Sequence, residues 1–372
     1  MKSWKINKIT TNNRTEFYIA LKPEKNSLFP EQLDSLLGQY GLLLDELGLD
    51  DGNLMFAKVF VSDFLNQVGI MNEHPLFKGR LSNGAVSIIE QPPLDGSKVN
   101  LLLWFVKSPG MKKYKREGAT FVETGGYVHI FQPVRCGGRP SSNMEKQTED
   151  AFAVHKELLR QHDMAFAGHC VRTWLYVKDI DKDYAGVVKG RNNFFRENGL
   201  NADTHFIAST GIGGSGESPD MGLCIDFYSV KGLEQGQVKY LQALDYLNPT
   251  YEYGVSFERG TCVTYPDVRH IFISGTASID KHGRCIHEGN VVQQLERIFV
   301  NIEHLLHDAG AGLEDMVQMI VYIRDIADAE VVGNYLAGNF DNIPSVLVQG
   351  RVCRPQWLVE VECIAARKVC KM

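Results

Sequence analysis

The hydrophobic and polar positions of this chain run through the same succession three times. "LLLDELGLDDGNLMFAKVFVSDF", ending at Phe64, is matched by "ELLRQHDMAFAGHCVRTWLYVKDI", ending at Ile180, and "HLLHDAGAGLEDMVQMIVYIRDI", ending at Ile326. Each reads as the end of an amphipathic helix, a short turn, and an apolar strand closing on Asp63, Asp179 or Asp325. A strand pattern precedes each helix: "RTEFYIAL" from Arg14, "YVHIFQPVR" from Tyr127 and "HIFISGTASI" from His270. A second helix follows each Asp. It is poorest over residues 66–77 and clearer from Asp183, where Gly199 is placed to stop it, and from Asp328. Two strands close each unit: 85–89 with 99–106, 204–210 with 221–230, and 345–352 with 358–366. The long helix of the third unit carries one apolar stripe through Val291, Val292, Leu295, Ile298, Phe299, Ile302, Leu305 and Leu306.

This pattern predicts an α+β chain of tandem units, each a mixed sheet with two helices on one face. The three open sheet faces can pack together around a pseudo-threefold axis, one chain mimicking a trimer, or the chain forms a homo-oligomer. The expected units are 1–110, 120–235 and 245–372, with linkers at Pro109–Ala119 and 231–268. A length of 372 residues suits such a division.

Composition narrows the functional classes. A net charge of −6, with 44% hydrophobic and 23% charged residues, describes an ordinary globular protein without the basic face of a nucleic-acid binder. The one basic cluster, Lys107 to Glu117, reads as a solvated linker. The N-terminus has no apolar core for secretion, and Leu101–Val106 is too short to span a bilayer. Eight cysteines form no CxxC pair and sit mostly in apolar runs, as expected of free thiols in the cytoplasm. Eleven histidines show no HxxxH or HExxH spacing, so no metal is expected.

Candidate chemistry concentrates at the last strand, where Glu360 and Glu362 alternate with Val359 and Val361. A solvent-facing strand explains such a pair without function. The repeat supplies a comparison: the corresponding strand of the first unit reads as apolar, and that of the second carries Cys224 and Asp226. Only the third unit brings a carboxylate to the place of Glu360, which singles it out. Arg351 and Arg354 lie near it in sequence, and Arg172, Arg191 and Arg259 are further candidate clamps for a carboxylate. Gly275, in "SGTASID", permits close backbone approach, and its Thr and Ser neighbours offer hydrogen bonds. The stretch Ser209–Gly222 lacks GxxxxGK and reads as a flexible hairpin loop.

The SGTAS strand, the QLExxxxNIxxLLxxAG helix, the MIVYIRD strand and the VEVE ending together resemble the Rid (YjgF-like) superfamily. Its members are small α+β proteins that trimerise and bind ligands between subunits. "NPTYEYGVSFERG" from Asn248, "FISGTASIDKHGRCIHEGN" from Phe272, "QQLERIFVNIEHLL" from Gln293 and "RVCRPQWLVEVE" from Arg351 are similar, more narrowly, to the chorismatase family. That resemblance spans residues 125–368 and covers the first unit only loosely. It implies cleavage of chorismate, an anionic small molecule, to pyruvate and a cyclohexadiene or hydroxybenzoate, with no cofactor. It places the catalytic acid on Glu360. The substrate contacts fall on Arg354, Arg259, Arg172, Tyr253, Gly275, Thr276, Ala277 and Gln349. Two positions depart from the family: Asp280-Lys281 precedes His282 where a Gly-His pair is usual, and Gln349 replaces a small residue or Cys. A Rid-type enamine or imine deaminase and a non-catalytic ligand-binding protein are the alternatives. Val346 stands where such deaminases carry Arg.

Overall fold

The computed structural model describes residues 3–136, 143–218 and 220–369. Three mixed sheets follow one another along the chain. From edge to edge the first is Trp4–Thr10, Thr15–Leu21, Val99–Lys107, Leu54–Val61 and Ala85–Glu90. The second is Ala208–Gly213, Cys170–Val177, Leu223–Lys231, Tyr127–Cys136, Ala119–Thr124 and Lys112–Arg116. The third is Val238–Tyr240, Gly260–Thr264, Val268–Thr276, Val359–Lys368, Met316–Ile323 and Ser345–Gln349.

Helices cover one face of each sheet: Phe29–Leu47 and Phe64–Glu73, Met144–Gln161 and Ile180–Glu197, Val291–Asp308 and Ala329–Asn339. Local chemistry sets their ends. Asn143 and Asn290 accept the backbone N–H groups of Lys146 and Gln293 at two N-termini. Gly199 takes φ 76° just past Asn198, the left-handed stop that the sequence predicts. No helix among the described residues is long and apolar enough to cross a membrane.

The opposite sheet faces turn inward on one another. Tyr18, Trp104, Phe131, Trp174, Tyr228 and Phe272, drawn from all three sheets, share a single buried cluster. The parallel edge strands mark the cyclic order. Glu90 bridges Ser215, Ile212 bridges Val352, and Val348 bridges Pro93, so each unit meets the next at the same place. This is the pseudo-threefold arrangement the repeat predicts, inside one chain.

Several expectations are corrected. Both stretches read as linkers carry strands, Lys112–Arg116 in one and Val238–Tyr240 and Gly260–Thr264 in the other. Strand Ala208–Gly213 begins four residues later than expected and runs parallel to Cys170–Val177, which separates it from Leu223–Lys231. The stretch from Ser209 is therefore an edge strand and crossover, not a hairpin loop. Register also revises the comparison of closing strands. Val99, Leu223 and Val359 pair with Val61, Val177 and Ile323 respectively. The place of Glu360 is thus Cys224 in the second unit and polar Asn100 in the first.

A buried polar knot ties the units together. The Glu16 carboxylate accepts Tyr18 Oη at 2.9 Å, Trp104 Nε1 at 3.2 Å and His270 Nε2 at 2.9 Å, with Arg14 3.4 Å away. Burial pushes this acid up, but the charge and hydrogen bond of His270, then Arg14, outweigh it and hold it at about 2. A depressed carboxylate stabilises the fold above its unfolded value and loses that contribution as pH falls through its folded value. Between about pH 4.5 and 2 the wild type should lose roughly 3 kcal/mol that Glu16→Gln lacks. Melting curves of the two proteins across that range check it.

Candidate active site

At the junction of the second and third units lies a cleft of about 500 Å³, counting its mouth. Glu360 forms its floor. The residue sits in Val359–Lys368 opposite Tyr322, on the inward side of the strand, and is 4% exposed. Its carboxyl makes no hydrogen bond among the described residues. Burial first, then the nearby charge of Glu362, push it up to about 8, against the smaller pull of Arg172 and Arg259. At neutral pH it therefore carries its proton. Gly275 is required beside it: a Cβ there would lie 2.0 Å from Glu360 Oε1. The strand carrying Gly275 slips register between Ile273 and Thr276, which brings its backbone to the acid.

Glu362, two residues on, has the opposite environment. It accepts Arg172 Nη2 at 2.8 Å and Trp174 Nε1 at 2.8 Å, and the Thr210 hydroxyl as well. All three donors come from the second unit. Two acids on one strand face are thus held apart in character, one ion-paired and one isolated.

The cleft walls are cationic and aromatic. Arg191, on helix Ile180–Glu197, is 1% exposed, and its Nε and Nη2 have no hydrogen-bond partner among the described residues. Its guanidinium and that of Arg259 pack on the Phe257 ring, at 5.7 and 5.4 Å. Arg259 also donates to the Asn248 carbonyl at 3.0 Å. Arg354 lies exposed at the mouth, 5.3 Å from the Trp357 ring. Tyr184 stands one side of the cleft, where Gly211 leaves space for its ring. Burial raises the Tyr184 hydroxyl and pushes the Cys353 thiol up to about 12, so both stay neutral.

Of the residues singled out from sequence, Glu360, Gly275, Ala277, Arg191, Arg259 and Arg354 meet in this cleft. Arg172 lies beneath it, committed to Glu362 and pulled below its ordinary value by burial. Thr276 is buried elsewhere, its hydroxyl donating to the Ser274 carbonyl. The backbone N–H of Gln349 donates to the Pro92 carbonyl, at the junction with the first unit, and the residue is not among those lining the cleft. Tyr253 ends a turn at Thr250–Tyr253, and its side chain lies outside the described residues. Tyr184 and Phe257 are additions from the structure. The signal for Tyr184 is its seven-residue spacing from Arg191, two turns along one helix face.

Comparison with known proteins follows this geometry. Residues 264–367 match the family model described as Endoribonuclease L-PSP. A RutC family protein of Pyrococcus abyssi is 31% identical over 100 residues, 26% of this chain and 79% of that protein. The 3-aminoacrylate deaminase RutC of Acinetobacter baylyi is 26% identical over 97 residues, 26% of this chain and 77% of its own. The chain belongs to the RutC family, within the Rid/YjgF-like superfamily. A crystal structure of a chorismatase shares the whole fold, with a TM-score of 0.65 over 96% of this chain and 99% of that one, at 18% identity.

Proposed function

We propose that this protein cleaves the enolpyruvyl ether of chorismate or a related compound, with Glu360 as general acid. One observation carries the reading: a buried, protonated carboxyl without an internal partner faces a cleft into which Arg191, Arg259 and Arg354 converge. Glu360 delivers its proton to the terminal methylene carbon of the enol ether, leaving an oxocarbenium-like centre. Water adds there, the ether C–O bond breaks, and pyruvate leaves together with a cyclic dienoate; the proton released by the added water restores the acid. Elimination instead breaks the bond from ring carbon to ether oxygen, releases a ring C–H proton that restores the acid, and gives pyruvate and a hydroxybenzoate without added water. The guanidiniums hold the substrate carboxylates, and the Phe257 and Trp357 rings that they stack on keep them aimed. The chorismatase fold supports the same reading.

The test is pyruvate release when purified protein is given chorismate. Absence of release, with the folded protein confirmed, sinks it. Kinship with the RutC deaminase favours a second reading, hydrolysis of an enamine or imine, which ammonia release from 2-iminopropionate detects. Against it, the parallel edge strands carry Val346 in the third unit and, at the equivalent register, Thr210 in the second, not Arg.

Arg191→Met should raise KM for the dicarboxylate about 10- to 100-fold, the weight of one charge-assisted hydrogen bond, with a smaller change in kcat. Steady-state kinetics separate the two constants, and an unchanged KM removes Arg191 from the substrate contacts.

A further inference from the structure

Lys58 lies on Leu54–Val61, in the apolar interior where the three sheets meet, and is 3% exposed. Its Nζ has no hydrogen-bond partner among the described residues. It sits 4.1 Å from the Trp174 ring centroid, 5.3 Å from Tyr176 and 6.0 Å from Phe56. The amine borders an axial chamber walled by Trp104, Phe131, Tyr228 and Phe272 and edged by the Arg172–Glu362 pair, a space apart from the Glu360 cleft that admits only a few water-sized atoms.

The charges around this chamber do not balance. Arg172 is matched by Glu362 at 2.8 Å, and Arg135 by Asp226 at 2.8 Å. Those two carboxylates are already spent: Glu362 also accepts Trp174 and Thr210, and Asp226 also accepts Ser87. Lys58 is the cation left over. The remaining titratable neighbours, the Tyr176 and Tyr228 hydroxyls and the Cys363 thiol, are all pushed up by burial and stay neutral. Aromatic faces attract an ammonium but do not replace the hydration it has given up.

We propose that Lys58 is the anchor of a buried site for a small monovalent anion, of halide or formate size. The chamber's narrowness excludes ring-bearing carboxylates, and the single positive charge left without a carboxylate disfavours dianions. The anion binds the ammonium form, so its affinity falls tenfold per pH unit above about 8, where burial places the deprotonation of this amine. Binding to the native state alone also raises the melting temperature in a saturable way.

Crystals of the wild-type protein grown in sodium bromide give the direct test. An anomalous peak within about 4 Å of Lys58 Nζ is the expected result. In solution, at constant ionic strength, replacing sodium gluconate by bromide or formate should raise the wild-type melting temperature. Lys58→Met, close to Lys in length and at home among aromatic rings, should abolish that response. Glu360→Gln should keep it, so failure here is distinct from failure of the catalytic reading. Absence of the bromide peak overturns the proposal, even if Lys58→Met does not fold. An anion response in Lys58→Met equal to that of the wild type overturns it as well.

Discussion

Pyruvate release by Glu360→Gln is expected to fall by about 10²- to 10⁴-fold, the range carried by a positioned general acid. The amide keeps the shape of the side chain but cannot give up a proton to carbon. The pH profile supplies the second half of the expectation. In the proposed role Glu360 has to be protonated, and burial holds it at about 8. The wild-type rate should therefore be flat towards neutral pH and drop tenfold per unit above that value. In the Gln variant stability should move in the opposite direction from activity. A carboxyl raised in the folded state favours folding fully only below its unfolded value, and that advantage is lost as pH rises through 8. Gln has no proton to recover on folding, so the variant should be more stable at pH 7 to 9, on the order of 3–5 kcal/mol. A variant that is inactive but less stable would point to misfolding in place of lost proton transfer. Calorimetry and a pyruvate-coupled assay on the same preparation make that distinction.

Arg172→Met is expected to produce the largest loss of stability. It strips the Glu362 carboxylate, 5% exposed, of its ion-pair partner while leaving it buried. Removing one member of such a pair costs about 3–5 kcal/mol, because the remaining charge has no water to return to. Thr210 and Trp174 still donate to Glu362, which places the effect within that range and not above it. The double variant Arg172→Met/Glu362→Gln should recover much of the loss, since the stranded charge is gone. Denaturant unfolding of the two single variants and the double one gives the coupling. Additive losses would show that the pair is not a unit.

The architecture was legible because each unit repeats a change of period, from helical spacing to a short apolar strand, and such changes survive divergence. That Glu360 stands out was legible for the same reason, since the repeat shows which position lacks a structural need for an acid; the cleft around it was not. Pairing order was not. Ser209–Gly222 joins strands adjacent in sequence, and nothing local reveals that Cys170–Val177 lies between them. Asn100 was missed because "VNLLLWFV" is apolar on both faces, so alternation cannot assign its register. The meeting of Arg191 with Arg259 depends on how two units dock, and docking leaves no spacing in the chain. Lys58 hides in the same way, a lone cation in an apolar strand whose inward face only the packed trio of sheets defines.

Covalent linkage of the three sheets gives each interface its own evolutionary freedom. In an assembly of identical subunits a substitution is copied to every interface at once. Here the equivalent position is Glu360 at one, Cys224 at another and Asn100 at the last, where a wider hollow of about 1080 Å³ opens between the first and third sheets. One gene can therefore keep an acid in one place, a thiol in the second and an amide in the third, and specialise each without disturbing the others.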